Sequence, residues 1–266
     1  MRDPFKITEP TCISFSGGRT SAYMLWRVIQ SGGGQLPCQA IVCFANTGKE
    51  DEATLRFVQD CSEQWGVPIT WLEYRVDGYA IVDYETASRN GEPFEALIEK
   101  KRYLPNTFAR FCTSELKIIP MKKHLKFLGY EDIITFIGIR ADEPRRVAKM
   151  KDNEDIKETP LATAQVTVAE VLSFWAKQSF NLQTVTVNGN SLLSNCDLCF
   201  LKKADHLLGL IQDKPERATW WVNMEKKIGA SFNQAHPTYA SMLQFSQEQR
   251  DMFDPNEETI ACFCGD

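Results

Sequence analysis

Residues 12–21 constrain the chain more than any other stretch. Cys12-Ile13-Ser14-Phe15 reads as a short apolar strand, and Ser16-Gly17-Gly18-Arg19-Thr20-Ser21 follows it directly. Ala22, Trp26 and Ile29 then recur at helical spacing. A strand, a glycine loop and a helix in that order suit an anion. Glycine reaches positive φ and lets the backbone come close to a ligand. The N–H groups of the loop and of the helix start attract phosphate. Ser16, Thr20 and Ser21 add hydroxyls, and Arg19 adds a charge. A tight strand-to-helix turn with no ligand has the same pattern, so these residues alone leave both readings open. The string is not the Gly-x4-Gly-Lys-Ser/Thr loop.

The first half continues as strands alternating with helices. Residues 40–44, 69–72 and 133–139 are further apolar strand candidates. Residues 51–65 read as a helix with Phe57, Val58, Cys61 and Trp65 on one side. Residues 74–110 are less regular and predict loops and a helix over the sheet's edge. A helix then covers Met121, Leu125 and Leu128, with Pro120 in its first turn. Such alternation predicts a parallel sheet with crossover helices. In the second half, Thr167 and Glu170 have capping-box spacing. Further helices are expected after Cys199, over 220–227 and over 239–245. The expected organisation is an α/β nucleotide-binding domain over 1–152, then a mainly helical region over 153–266 carrying a Cys-x2-Cys unit and a cysteine tail.

Bulk properties exclude several classes. No apolar run is long enough to span a bilayer. Met1-Arg2-Asp3-Pro4 has no apolar signal-peptide region, so a cytoplasmic protein without membrane contact is expected. Nine cysteines, an odd number without an export signal, argue against a disulfide framework. The net charge of -5 argues against a general nucleic-acid coat but leaves local basic patches open, at Lys100-Lys101-Arg102 and Lys122-Lys123.

Two more loops share the placement of the first. Phe44-Ala45-Asn46-Thr47-Gly48-Lys49-Glu50 closes the second strand, and Gly138-Ile139-Arg140-Ala141-Asp142-Glu143-Pro144-Arg145-Arg146 closes the fourth. Ligands of open α/β sheets collect beyond the carboxyl ends of strands. Three such loops are expected to converge on one crevice.

Cys196-Asp197-Leu198-Cys199 has the spacing that places two thiolates on one metal. Structural zinc, a redox pair and simple burial all fit it. Cys112 is a third candidate ligand, and Cys262 and Cys264 lie in a tail too short for a core of its own. Cys12, Cys38, Cys43 and Cys61 read as structural, and His124, His206 and His236 form no ligand pattern.

The glycine loop, the Asn46-Thr47-Gly48 segment, Cys112-x4-Lys117-x2-Pro120 and Gly138-Ile139-Arg140 together resemble the phosphoadenosine phosphosulfate (PAPS) reductase family. That family belongs to the wider PP-loop ATP pyrophosphatases. The similarity runs from Cys12 to Cys199 and is nearest to phage- and plasmid-borne members related to the ATP pyrophosphatase of DNA phosphorothioation. The resemblance implies an adenine nucleotide α-hydrolase-like fold with a parallel five-stranded sheet flanked by helices. It implies nucleotide contacts from Ser16, Gly17, Gly18, Arg19, Thr20, Ser21, Phe44, Asn46, Thr47, Gly48 and Gly138. Lys117, Arg140, Asp142 and Arg145 become candidate catalytic groups, with Cys264 as a candidate nucleophile. Cys112, Cys196, Cys199 and Cys262 become candidate ligands of a [4Fe–4S] cluster, with zinc as the alternative metal.

The sequence departs from the family pattern at Thr20, where the loop usually carries aspartate. If that aspartate helps hold Mg²⁺, Asp142 or Glu143 is expected to replace it. The retained Gly17-Gly18 pair favours ATP over PAPS, because relatives that bind a sulfonucleotide often lack the second glycine.

Three functions follow from these readings. The first is an ATP pyrophosphatase that adenylylates an acceptor for sulfur transfer, the acceptor being a nucleic acid or a small metabolite. The second is a sulfonucleotide reductase that uses Cys264 and a thioredoxin-like reductant. The third is a non-catalytic, zinc-stabilised nucleotide-binding module. A sulfur donor would serve the first, and a homodimer is open for all three.

Overall fold

A computed structural model describes residues 3–151, 157–184, 186–187, 190–191, 193 and 196–251. Among these residues, β1 (Thr11–Phe15), β2 (Ala40–Asn46) and β3 (Thr70–Arg75) are joined by α1 (Arg19–Ser31) and α2 (Glu52–Trp65). β4 (Gly78–Val82), α3 (Glu92–Lys101) and α4 (Phe111–Thr113) follow. A π-helical stretch, Ser114–Ile118, then leads into α5 (Ile119–Phe127). β5 (Ile134–Ile137), α6 (Pro144–Lys151), β6 (Lys157–Glu158), α7 (Pro160–Thr163) and α8 (Val168–Trp175) complete the α/β part.

The sheet order is β4-β3-β2-β1-β5-β6. β3, β2, β1, β5 and β6 are parallel neighbours, so the expected five-stranded parallel sheet is present. A sixth strand, β4, pairs antiparallel with β3 as a hairpin return. The chain runs outward from β1 through β2 to β3, then crosses back to β5 on the other side of β1. The strand order therefore reverses between β1 and β5, the kind of point beyond whose strand ends ligands of open α/β sheets collect.

The core explains why these segments fold as they do. Ile13 and Phe15 of β1, Val42 and Phe44 of β2, and Met24, Leu25 and Val28 of α1 are buried in one apolar cluster. Leu161, Val166, Val171, Trp175 and Leu182 join the same cluster. Contacts accordingly divide the chain into one compact unit of Met1–Asp197 and another of Leu198–Asp266. The second unit holds β-free helical structure among its described residues: α9 (Ala204–Asp213), α10 (Ala218–Ile228) and α11 (Tyr239–Asp251). Trp221, Phe232 and Tyr239 form its aromatic centre, and the Glu225 carboxylate accepts from Phe232 N and Tyr239 N.

One local expectation is corrected. Thr167 caps α8 without a side-chain hydrogen bond, and Glu170 accepts from the Tyr23 hydroxyl at 2.6 Å rather than closing a capping box. Pro120 lies in the first turn of α5 as expected, and helical backbone from Phe111 leads into that turn through the π-helical stretch.

No helix among the described residues is long and apolar enough to cross a membrane. Cys12, Cys43 and Cys61 are buried as expected, whereas Cys38 is exposed.

Candidate functional site

The loop after β1 folds around its own hydroxyls. Ser16 Oγ lies 3.0 Å from Ser21 Oγ, Ser16 N donates to Ser21 Oγ, and Ser21 Oγ donates to Gly18 O. Gly17 has φ +73°, and a Cβ there would stand 2.7 Å from Thr54 Cγ2 and 3.2 Å from Phe44 Cε2. Both the conformation and the packing on β2 and α2 thus require glycine at 17. Gly18 differs. Its φ of -105° is open to any residue, and a Cβ there would meet only Ser16 Oγ, at 3.7 Å. The packing of the protein does not demand glycine at 18, so the smooth surface it leaves is available to a ligand. α1 starts at this point with no acidic residue in its first turn, which suits an anion.

The loop after β5 comes into direct contact with the first. A Cβ on Gly138 would stand 3.1 Å from Ser21 Cα, so the glycine permits the approach. Arg140 Nη1 donates to Thr20 Oγ1 at 3.1 Å, which ties the two loops together at the residue that departs from the family pattern. Arg140 Nε also donates to Asp142 Oδ1 at 2.9 Å. The other Asp142 oxygen accepts from Val168 N at 3.0 Å and so caps α8. Partial burial opposes ionisation of Asp142, but the bonds from Val168 N–H and Arg140 outweigh it and hold the carboxyl below its ordinary value. Glu143 accepts from Arg140 N and from Arg146. Asp142 and Glu143, either of which was expected to hold Mg²⁺, are thus both occupied in pinning the loop and do not fit as its ligands. Arg145 is exposed on α6.

The loop after β2 is held by buried polar groups. Asn46 Nδ2 donates to Glu73 Oε1 and Ser88 O, while its Oδ1 accepts from Gly48 N. Glu73, wholly buried, also accepts from Ser88 N and Ser88 Oγ and pairs with Arg75. Gly48, at φ +76°, lets the loop pack against Gly91 and Pro93. Thr47 donates from both N and Oγ1 to Glu50 Oε2 at 2.8 Å. Lys117 Nζ, from the π-helical stretch, lies 3.4 Å from Glu50 Oε1.

The same loop is strapped to a distant segment. Thr47 Oγ1 is 3.5 Å from Cys196 Sγ, Glu50 forms an antiparallel bridge with Cys196, and Asp197 N donates to Lys49 O. Lys49 Nζ and Asp197 Oδ2 are 3.1 Å apart with both side chains largely buried.

The structure therefore joins Ser16, Thr20, Ser21, Gly138, Arg140 and Asp142 in one contact set. Thr47, Lys117 and Cys196 belong to a second. Two expected nucleotide groups face elsewhere. Phe44 is buried against Trp71 beneath Gly17. Arg19 donates to Asn181 Oδ1 and Leu182 O, and burial lowers its pKa. Cys112 and Cys199 are half-buried, the latter in the second unit. Among the described residues no three His, Cys, Asp or Glu side chains converge as a metal site. Cys262 and Cys264 lie outside the described residues. Lys49, Glu50, Glu73 and Asp197 were not expected. The available signal was a carboxylate inside the apolar run Trp71-Leu72-Glu73-Tyr74 and a Lys-Glu pair directly after a glycine.

A reversing parallel sheet with two glycine-bearing loops in contact beyond its strand ends defines an open α/β fold with its candidate site at the carboxyl ends of the strands. Residues 10–178 match the phosphoadenosine phosphosulfate reductase domain, and the chain belongs to that family. It is 32% identical over 209 residues to the uncharacterized nin region protein ORF290 of Escherichia phage lambda, covering 74% of this chain and 68% of that one. It is 29% identical over 138 residues to the uncharacterized protein MJ0066 of Methanocaldococcus jannaschii, covering 52% of this chain but only 24% of the relative.

Proposed function

We propose that the protein binds ATP at the loop after β1 and cleaves it between the α and β phosphates, adenylylating an acceptor for sulfur transfer. The observation that carries this reading is Gly18. It leaves a side-chain-free surface at the start of α1 that internal packing does not need. A pyrophosphate requires that kind of close backbone approach.

In this reading an acceptor oxygen attacks the α-phosphorus, and pyrophosphate leaves. The backbone N–H groups of the first turn of α1 have no intrahelical carbonyl to reach and would hold phosphate oxygens. Arg140 sets Thr20 at the mouth of the loop, and Lys117 supplies a cation from the neighbouring wall. Their contribution is orientation and charge neutralisation. Mg²⁺, when bound with ATP, would offset phosphate charge. The acceptor is a nucleic acid or a small metabolite.

A second reading keeps the same crevice for PAPS, in line with the family domain, with sulfite as product. One anaerobic preparation tests both. Incubation with ATP and separately with PAPS, assaying pyrophosphate and sulfite, should give pyrophosphate from ATP. Sulfite from PAPS with no use of ATP would replace the first reading by the second. Calorimetry that detects binding of neither nucleotide would remove both.

A further inference from the structure

We infer that Glu50 is a positioning residue whose buried carboxylate sets Lys117 and Thr47 relative to each other beside Cys196. Its consequence for turnover rests on the nucleotide reading above, but its geometry does not.

The Glu50 side chain is 2% exposed. A carboxylate so deeply buried must be compensated by charge and by hydrogen bonds. Oε2 takes both donors of Thr47, the backbone N–H and the hydroxyl. Oε1 faces the ammonium of Lys117. The Glu50 backbone is paired with Cys196, and the Thr47 hydroxyl also lies beside the Cys196 thiol. The Glu50 side chain thus joins the loop after β2 to the π-helical stretch, while its backbone and Thr47 meet the Cys196 segment. π-Helical turns add a residue to the helix and re-aim the side chains they carry, and they recur at functional sites. Here Leu116 points into the core while its neighbour Lys117, partly exposed, turns to Glu50.

The two oxygens have different duties, which makes the role separable by substitution. In Glu50→Gln the amide oxygen can keep the two Thr47 donors. The amide nitrogen then faces the Lys117 ammonium, donor against donor. The variant should retain the turn and lose the ion pair that Glu50 makes with Lys117.

The first test needs no ligand. Wild type and Glu50→Gln are treated with acetic anhydride, and acetylation is followed by peptide mass spectrometry with exposed Lys126 as the internal reference. Lys117 should label several-fold faster in the variant. Glu50→Asp, which keeps the charge but shortens the reach, should give an intermediate rate and serves if Glu50→Gln does not fold. Unchanged Lys117 labelling in a folded variant would overturn the proposal.

The second test is a double-mutant cycle on pyrophosphate release with Glu50→Gln, Lys117→Met and their combination. A residue acting through Lys117 should add nothing once Lys117 is gone. Losses that multiply would show that Glu50 acts elsewhere and would overturn it. If the wild type binds neither ATP nor PAPS, the nucleotide reading fails, while the labelling result still decides the role of Glu50.

Discussion

The loops after β1 and β2 leave adjacent strands of one sheet, yet they are held in different ways. The first keeps its shape by sterics and short-range hydroxyl bonds: a left-handed glycine wedged over Thr54 and Phe44, and a Ser16–Ser21 contact. The second keeps its shape by buried charge: Glu73 under Asn46, Glu50 under Thr47, and Lys49 paired with Asp197. In the ATP reading the first loop presents bare backbone to an anion and so has little room for fixed side-chain charges of its own. A loop that carries a lysine partner and a cysteine neighbour can afford many.

Breaking the second loop should cost most. Asp197→Ala removes one partner of a largely buried ion pair. A loss of roughly 3–5 kcal/mol is expected, the usual cost of breaking such a pair from one side. Urea denaturation measures it, and a loss below about 1 kcal/mol would mean that the strap is incidental.

Gly17→Ala attacks the first loop on steric grounds. The left-handed backbone and the contact with Thr54 Cγ2 together should cost roughly 2–4 kcal/mol. The same denaturation assay reads it. A wild-type midpoint would show that the wedge does not hold the loop.

Asp142→Asn probes the contact between the first loop and the loop after β5. Removing the charged cap of α8 should lower stability by roughly 0.5–1 kcal/mol, the solvent-facing side of Asp142 keeping the effect small. The depressed folded pKa gives the sign. Its contribution is full above the ordinary carboxylate value and is lost as pH falls through the folded value. The wild-type-minus-variant difference in melting temperature should therefore shrink on acidification, and a difference that grows would reverse the assignment.

Gly18→Ala sharpens the contrast most. Its backbone and surroundings accept a methyl group, so the cost to stability should stay within about 1 kcal/mol, the N-cap preference for glycine over alanine. Nucleotide affinity should nevertheless fall about tenfold, roughly the worth of one close phosphate contact. Calorimetry and thermal melting on one sample decide it, and unchanged affinity would remove the observation on which the ATP reading stands.

Much of this was legible in the sequence where the signal is local. β1, its loop and α1 follow from an apolar run, a glycine pair and helical spacing within twenty-odd residues. The five parallel neighbours followed from the family resemblance more than from pattern. β6 is Lys157-Glu158, which has no apolar signature and is a strand only because β5 offers it an edge. β4 alternates poorly, with only Ile81 strongly exposed. The site was legible as loops and not as contacts. Nothing near Asp142 announces that Val168 will need a cap, and nothing near Lys49 announces Asp197. Thr20 read as a missing metal ligand, whereas the structure makes it the hydroxyl that receives Arg140.

The strap on the second loop also sets an order of events. Thr47 and Cys196 are 149 residues apart in the chain. Contacts of such high contact order form late, because a long loop must close before they stabilise anything. During synthesis, β1, β2 and β3 are available to pair long before residue 196 leaves the ribosome. A nascent or truncated chain can thus own the first strands and the glycine loop while the loop after β2 still lacks its strap. The seated strap is in that sense a report that most of the chain has been made.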